Sequence, residues 1–305
     1  MTNVDASMTS RSLPTPGAVL ELSKPVTWFA PMWAFACGVI SSGADLQERA
    51  LYVLGGVLLA GPLVCATSQA VNDWFDRHVD AINEPDRPIP SGRIPGRWGL
   101  YLAVVWTLAS LVLASFLGVW TFAAAVAGLV LAWAYSAPPA RLKQNGWWGN
   151  AAVGFSYEGI AWFTGAAVMI GGLPSWPIMS AAVLYSIGAH GIMTLNDFKA
   201  IEGDRKMGVN SLPVQLGAGR AARLACAVMI GAQLPVIAML IGLGAYAHAA
   251  LVGSFIALQG RLMFPLLDDP RGRAPWYNAT GTTLFVLGML VTAHAIRIAG
   301  GGGLG

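Results

Sequence analysis

The chain has 305 residues, 55% hydrophobic and only 11% charged, against roughly 25% charged in a soluble domain. That balance excludes a water-soluble globular protein, and the net charge of +3 asks for no nucleic-acid partner, because its lysines and arginines fall where a membrane protein keeps them. The sequence reads as an all-α, polytopic membrane protein.

Residues 1–24 are polar and proline-marked (Pro14, Pro16), with no basic start leading into a short apolar core. They are expected to form a retained tail and not a cleaved signal peptide. A spanning helix needs about 20 apolar residues. Segments of that kind are predicted at 27–42, 51–71, 98–115, 117–136, 149–170, 176–196, 221–242, 246–265 and 279–298, which makes nine helices in a single transmembrane domain over 25–298. A Gly-rich tail follows at 299–305. Cys37, Cys65 and Cys226 fall inside spans without metal or disulfide spacing and are expected to be small packing residues. With the N-terminus cytoplasmic, one side of the bilayer carries sixteen lysines and arginines and the other only Arg49 and Arg297. The positive-inside bias therefore predicts cytoplasmic acidic loops and a C-terminus on the opposite side.

Charge on that side collects in two stretches, 72–97 and 196–223. In VNDWFDRHVDAINEPDRPIPSGR (71–93), Asp73, Asp76 and Asp80 are spaced i, i+3, i+7. On a helix this puts three carboxylates within about 60° of one another. Such a stripe repels itself unless a cation joins it. Mg²⁺ suits it, since that ion takes one or two carboxylates and completes its shell with water and substrate phosphates. In NDFKAIEGDRKMGVNSLPVQLG (196–217), the Asn196–Asp197 pair repeats Asn72–Asp73, and Asp204 stands opposite Asp80. Ala200 replaces Asp76, and Glu202 is a further acid. On helical phase Asp197 and Asp204 are favoured over Glu202. The chain thus reads as two related halves, roughly 20–140 and 145–265, each presenting an acidic helix end at one membrane face. Basic residues among the acids supply the rest of an anion site: Arg77, Arg87, Arg141, Lys143 and Lys199 are candidate diphosphate contacts, Arg87 and Lys143 foremost.

The Asn72-Asp73-x-x-Asp76-x-x-x-Asp80 pattern, with its second acidic segment half a chain later, resembles the UbiA superfamily of intramembrane prenyltransferases. VNDWFDRHVDAINEPDRPIPSGRIP, YSAPPARLKQNGWWGN (135–150) and TLNDFKAIEGDRKMGVNSLPV (194–214) are similar to its chlorophyll synthase branch, and the likeness spans about 20–298. It implies nine helices around a central cavity that opens sideways to lipid, with Mg²⁺ beneath the cytoplasmic loops. It also implies transfer of a geranylgeranyl or phytyl chain from its diphosphate to the propionate carboxylate of a (bacterio)chlorophyllide, in a bacterial inner or intracytoplasmic membrane. Pigment-synthesis or photosynthetic-complex proteins are possible partners. Quinone-pathway members carry the second motif as DxxxD, which Ala200 breaks here.

In chemical terms, Asp73, Asp76, Asp80, Asp197 and Asp204 are the expected metal ligands, with Asn72 and Asn196 orienting them or ligating as neutral oxygens. No Ser/His/Asp or Cys/His set is present, and none is needed: a carboxylic acid acceptor with a pKa near ~4.3 arrives ionised. Glu158, mid-span, suggests a role by default; it could steer a carbocation, hydrogen-bond the tetrapyrrole, or pair with a neighbouring helix. His190 could ligate the pigment's central metal or be a packed, hydrogen-bonded histidine. Trp74, Trp147, Trp148 and Trp162 could line a channel or serve as core and interface aromatics, and Gly165, Gly171 and Gly172 read as helix packing and a turn. Rival readings are a prenyltransferase for another acceptor (a quinone precursor or haem), a transporter, and a pigment-complex assembly protein.

Overall fold

A computed structural model describes residues 13–301; Arg11 and residues 302–305 of the Gly-rich tail lie outside the described residues. Within the expected polar tail, Pro16–Ser23 forms a helix, α1, with Thr15 as N-cap and Pro16 in the first turn, where its missing N–H is no loss. It buries Ala18 and Leu22 in a cluster with Ala70, Val71, Trp74, Ile89 and Ile94. Arg93 clamps it from outside by ion-pairing with Glu21.

After a tight turn at Pro25–Trp28 comes α2, Phe29–Ser41. Its 13 residues follow directly on that 3₁₀ turn, so helical backbone runs from Pro25 to Ser41 and reaches about 28 Å, close to the roughly 30 Å hydrocarbon core. The break that precedes it is local: Lys24 adopts φ 45° immediately before Pro25, where the helical backbone begins. The remaining helices are α3 (Ala50–Asn83), α4 (Trp98–Phe116), α5 (Val119–Ser136), α6 (Gly146–Ile170) and α7 (Trp176–Met207), followed by a five-residue helix α8 (Leu212–Leu216). Last come α9 (Ala218–Gly242), α10 (Tyr246–Asp268) and α11 (Pro270–Gly301). Eight of these are long and apolar enough to cross a membrane.

Three boundaries differ from the sequence reading, each for a physical reason. The segment predicted to end at 71 runs on helically to Asn83, giving 34 residues and about 51 Å of helix. That exceeds the roughly 30 Å hydrocarbon core, so its acidic end stands clear of the apolar region. Helix α7 likewise continues past 196, but through a tight 3₁₀ turn at Asp197–Ala200 before Ile201–Met207. The last helix starts at Pro270 and absorbs residues 299–301 of the expected tail.

Two helices contain one wider turn with i→i+5 hydrogen bonding: Leu59–Cys65 in α3, around Pro62, and Phe155–Ile160 in α6. In α3 the cause is Pro62, which has no N–H to give the regular ladder. Turns of this kind gather at functional sites, and both of these border the cavity described below.

The main core joins α2, α6, α7, α9, α10 and α11 around Tyr185, which stacks on Trp162 with ring centroids 5.6 Å apart and meets Phe285 edge-on at 5.2 Å. Helices α2 and α6 approach through small residues. A Cβ on Gly38 would sit 2.0 Å from the Trp162 carbonyl oxygen, and one on Gly165 would sit 2.0 Å from that of Phe35. We therefore expect Gly165→Val to lower stability by about 1–3 kcal/mol through overpacking, read as a reduced melting temperature in detergent. Gly231→Ala, inside α9 and with a Cβ that meets nothing within 4 Å, should not lower that temperature and should raise it slightly.

Candidate active site

A cavity of about 510 Å³ opens among α2, α3, α5, α6 and α7. Asn72 and Asn196, the leading residues of the two acidic motifs, both line it. The Tyr135 hydroxyl, also on its wall, feels the carboxylates of Asp197, Asp76 and Asp204 together. The two acidic segments, half a chain apart, therefore border the same cavity through their asparagines, while none of the five aspartates is among its lining residues.

On α3 the three aspartates divide their partners. Asp73 is 1% exposed; its Oδ1 accepts from Lys24 Nζ at 2.6 Å and from Arg87 at 3.4 Å. Its Oδ2 is buried without a hydrogen-bond partner among the described residues. Asp80, also buried, accepts from Arg87 at 2.9 Å. Asp76 turns toward the second half and ion-pairs with Lys143 and, at 3.7 Å, Arg141, while Asn72 donates to it at 3.2 Å. The repulsion expected among these acids is thus relieved here by basic side chains from three separate loops. Burial opposes the charge of Arg87, but Glu84, Asp73 and Asp80 outweigh it and hold the guanidinium above its ordinary value. Burial dominates at Lys143 and pulls its ammonium below the usual lysine value, Asp76 acting against that pull. Arg77 lies elsewhere, its guanidinium 4.2 Å over the Trp74 ring and bonded to the Trp74 carbonyl.

In the second half, Asp197 accepts from Asn150 of α6 at 3.1 Å, and Asn196 accepts from Asn278 of α11 at 2.8 Å. Asp197 and Asp204 are half-buried; Glu202 is exposed and pairs with Arg205 at 3.6 Å and Arg271 at 3.4 Å. Lys199 is exposed on the 3₁₀ turn. His190 faces Trp147, with the two rings tilted and their centroids 6.0 Å apart, bonds to its carbonyl oxygen at 3.3 Å, and is not among the cavity's lining residues. Glu158 is buried and lines the cavity. Trp162 belongs to the core, and Trp147 and Trp148 are exposed.

Several polar groups escaped the sequence reading. Lys24, taken there only as a topology charge, bonds to Asp73; its position directly before Pro25, at the entry to the first span, was the available signal. Asn150, a lone amide inside an apolar helix, bridges Asp197 and Thr194. Gln69 donates to the Tyr157 hydroxyl at 3.1 Å on the cavity wall. The loop before α6, which carries Arg141 and Lys143, is itself joined to the loop that follows α7. Gly146 N–H donates to the Asn210 carbonyl at 2.8 Å, and Asn210 N–H to that of Gln144 at 2.9 Å.

Among the described residues no three His, Cys, Asp or Glu side chains close into a metal cluster. The donors on hand are nonetheless all oxygen, with one carboxylate oxygen left unsatisfied in a buried position. This chemistry matches a hard divalent cation.

The UbiA prenyltransferase family model matches residues 25–296. The bacteriochlorophyll synthase 33 kDa chain of Cereibacter sphaeroides is 57% identical, covering 97% of this chain and 98% of its own length. The chloroplastic chlorophyll synthase of Avena sativa is 41% identical over 90% of this chain and 75% of its own. Among solved structures, a UbiA homolog from Archaeoglobus fulgidus bound to GPP and Mg²⁺ superposes with a TM-score of 0.67 at 21% identity, covering 90% of this chain and 99% of that one.

Proposed function

The chain belongs to the UbiA prenyltransferase family, and from that membership we propose that it esterifies the propionate carboxylate of a (bacterio)chlorophyllide with a geranylgeranyl or phytyl chain. The donor is the corresponding diphosphate, and diphosphate is released. The full-length likeness to a bacteriochlorophyll synthase supports the acceptor. The observation that carries the reading is that Asn72 and Asn196, the asparagines that lead the two motifs, line one cavity.

Asp73, Asp76 and Asp80 from one half, with Asp197 and Asp204 from the other, would hold Mg²⁺, and Asn72 and Asn196 orient or complete that set. When bound, Mg²⁺ supplies positive charge that stabilises a departing diphosphate. Arg87, Arg141 and Lys143 already stand among these carboxylates and take the remaining phosphate oxygens, Arg by a planar fork and Lys as a point charge. Lys199 and Arg77 are more distant contributors. The cavity wall, built from residues such as Ala124, Ala125, Gly128 and Ala161, holds the isoprenoid and keeps water from the allylic carbon. As the C–O bond to diphosphate breaks, the acceptor's carboxylate oxygen forms the new bond to that carbon. The acid arrives ionised, so no side chain has to remove a proton. The acidic end lies on the cytoplasmic side, the orientation the Lys/Arg bias favours, and family membership suggests a bacterial inner or intracytoplasmic membrane.

The direct test incubates the protein in membranes with bacteriochlorophyllide, geranylgeranyl diphosphate and Mg²⁺ and separates the pigments by chromatography. The esterified pigment should appear, and EDTA should abolish it. Absence of ester with intact, folded protein would refute the acceptor assignment.

A further inference from the structure

We propose that Glu158 is the acceptor-positioning group of the cavity: its carboxyl hydrogen-bonds a polar group on the periphery of the tetrapyrrole and so fixes which edge of the macrocycle faces the diphosphate. This rests on the tetrapyrrole acceptor proposed above. Glu158 sits in the wide turn Phe155–Ile160 of α6, is 7% exposed, and lines the cavity. Its Oε2 is buried without a hydrogen-bond partner among the described residues. A buried carboxyl oxygen left in that state carries a desolvation penalty that native proteins rarely tolerate. In a membrane interior such a group marks a binding or transport path.

The packing explains its aim. A Cβ on Gly159 would lie 2.4 Å from the Ser186 hydroxyl, and one on Gly154 would lie 2.8 Å from the Ser186 carbonyl. Helix α7 therefore presses against this stretch of α6 through its glycines, leaving Glu158 on the open side. Depth then separates the roles left open by the sequence. Glu158 is eight residues beyond Asn150, which bonds Asp197, and so lies about 12 Å deeper along the helix. The allylic carbon is attached to the diphosphate and stays at the acidic mouth, too far for Glu158 to meet a developing cation. A helix-pairing role is not seen either, since Glu158 makes no ion pair among the described residues. Beyond its diphosphate the donor is hydrocarbon and offers nothing to bond. A tetrapyrrole, reacting through its propionate at the mouth, carries carbonyl groups on its rim that extend inward and accept from the O–H of Glu158, which acts as the neutral, protonated acid expected of a buried carboxyl without a counter-charge.

The experiment compares Glu158→Gln with the apolar variants Glu158→Leu and Glu158→Met, measuring KM separately for bacteriochlorophyllide and geranylgeranyl diphosphate, together with thermal melting. Gln keeps donor and acceptor atoms and should stay within about threefold of the unmodified protein, the scale of a retained hydrogen bond. Leu and Met should raise the acceptor KM about tenfold, the loss of one hydrogen bond, and leave the donor KM within about twofold. They should melt no lower than the unmodified protein, because they remove an unsatisfied buried group. An unchanged acceptor KM, a rise in the donor KM instead, a Gln variant as impaired as Leu, or a lower melting temperature would each overturn the inference. If the unmodified protein forms no ester at all, it is the proposed acceptor that fails; if it does and the variants misbehave, only the role of Glu158 falls.

Discussion

Asp76→Ala should eliminate pigment esterification, with the rate falling at least about 100-fold, the scale of removing one preorganised electrostatic group from an active site. Asp76 is the carboxylate on which three side chains converge: Asn72 of its own helix, and Lys143 and Arg141 of the loop before α6. Its loss removes an expected metal ligand and leaves Lys143, 13% exposed, without its counter-charge. A buried charge that loses its partner also destabilises the fold, so activity and stability must be separated. Lys143→Met in the Asp76→Ala background should recover melting temperature and recover no activity. Pigment chromatography and thermal melting on the two proteins read both effects. Esterification by Asp76→Ala at close to the normal rate would remove the α3 motif from the site.

Asp197→Asn should lower the rate by a similar factor, on the order of 100-fold, while Glu202→Gln changes it by less than about twofold. The amide keeps most of the shape that Asn150 recognises at 3.1 Å but lacks the charge that a metal–diphosphate complex needs. Glu202 is exposed, and its partners Arg205 and Arg271 are exposed as well; pairs of that kind contribute roughly 0–1 kcal/mol each. Rate measurements at saturating Mg²⁺ decide between them. A larger loss in the glutamate variant would transfer the second site from Asp197 and Asp204 to Glu202.

Much of this architecture was legible in the chain because the bilayer simplifies the code: long apolar runs become helices, and acids within them stand out. The phasing of Asp73, Asp76 and Asp80 and the echo of Asn72–Asp73 in Asn196–Asp197 were readable as chemistry. What escaped was whatever depends on contacts between distant segments. Lys24 lies next to Asp73 only because α1 folds back on α3. Asn150 has no visible purpose until α6 meets α7. Nothing local announces the 3₁₀ turn at Asp197–Ala200 either.

The join between the loops before α6 and α8 has a consequence for how the sequence can drift. It is made by main-chain atoms alone, Gly146 to Asn210 and Asn210 to Gln144, so substitution of the side chains at 144 and 210 leaves its hydrogen bonds in place. Gly146 has no such latitude, because a Cβ there would stand 2.4 Å from the Leu212 nitrogen. Mutational tolerance at this seam should therefore be uneven: broad at its two polar positions and nearly absent at the glycine that lets its two strands of backbone touch.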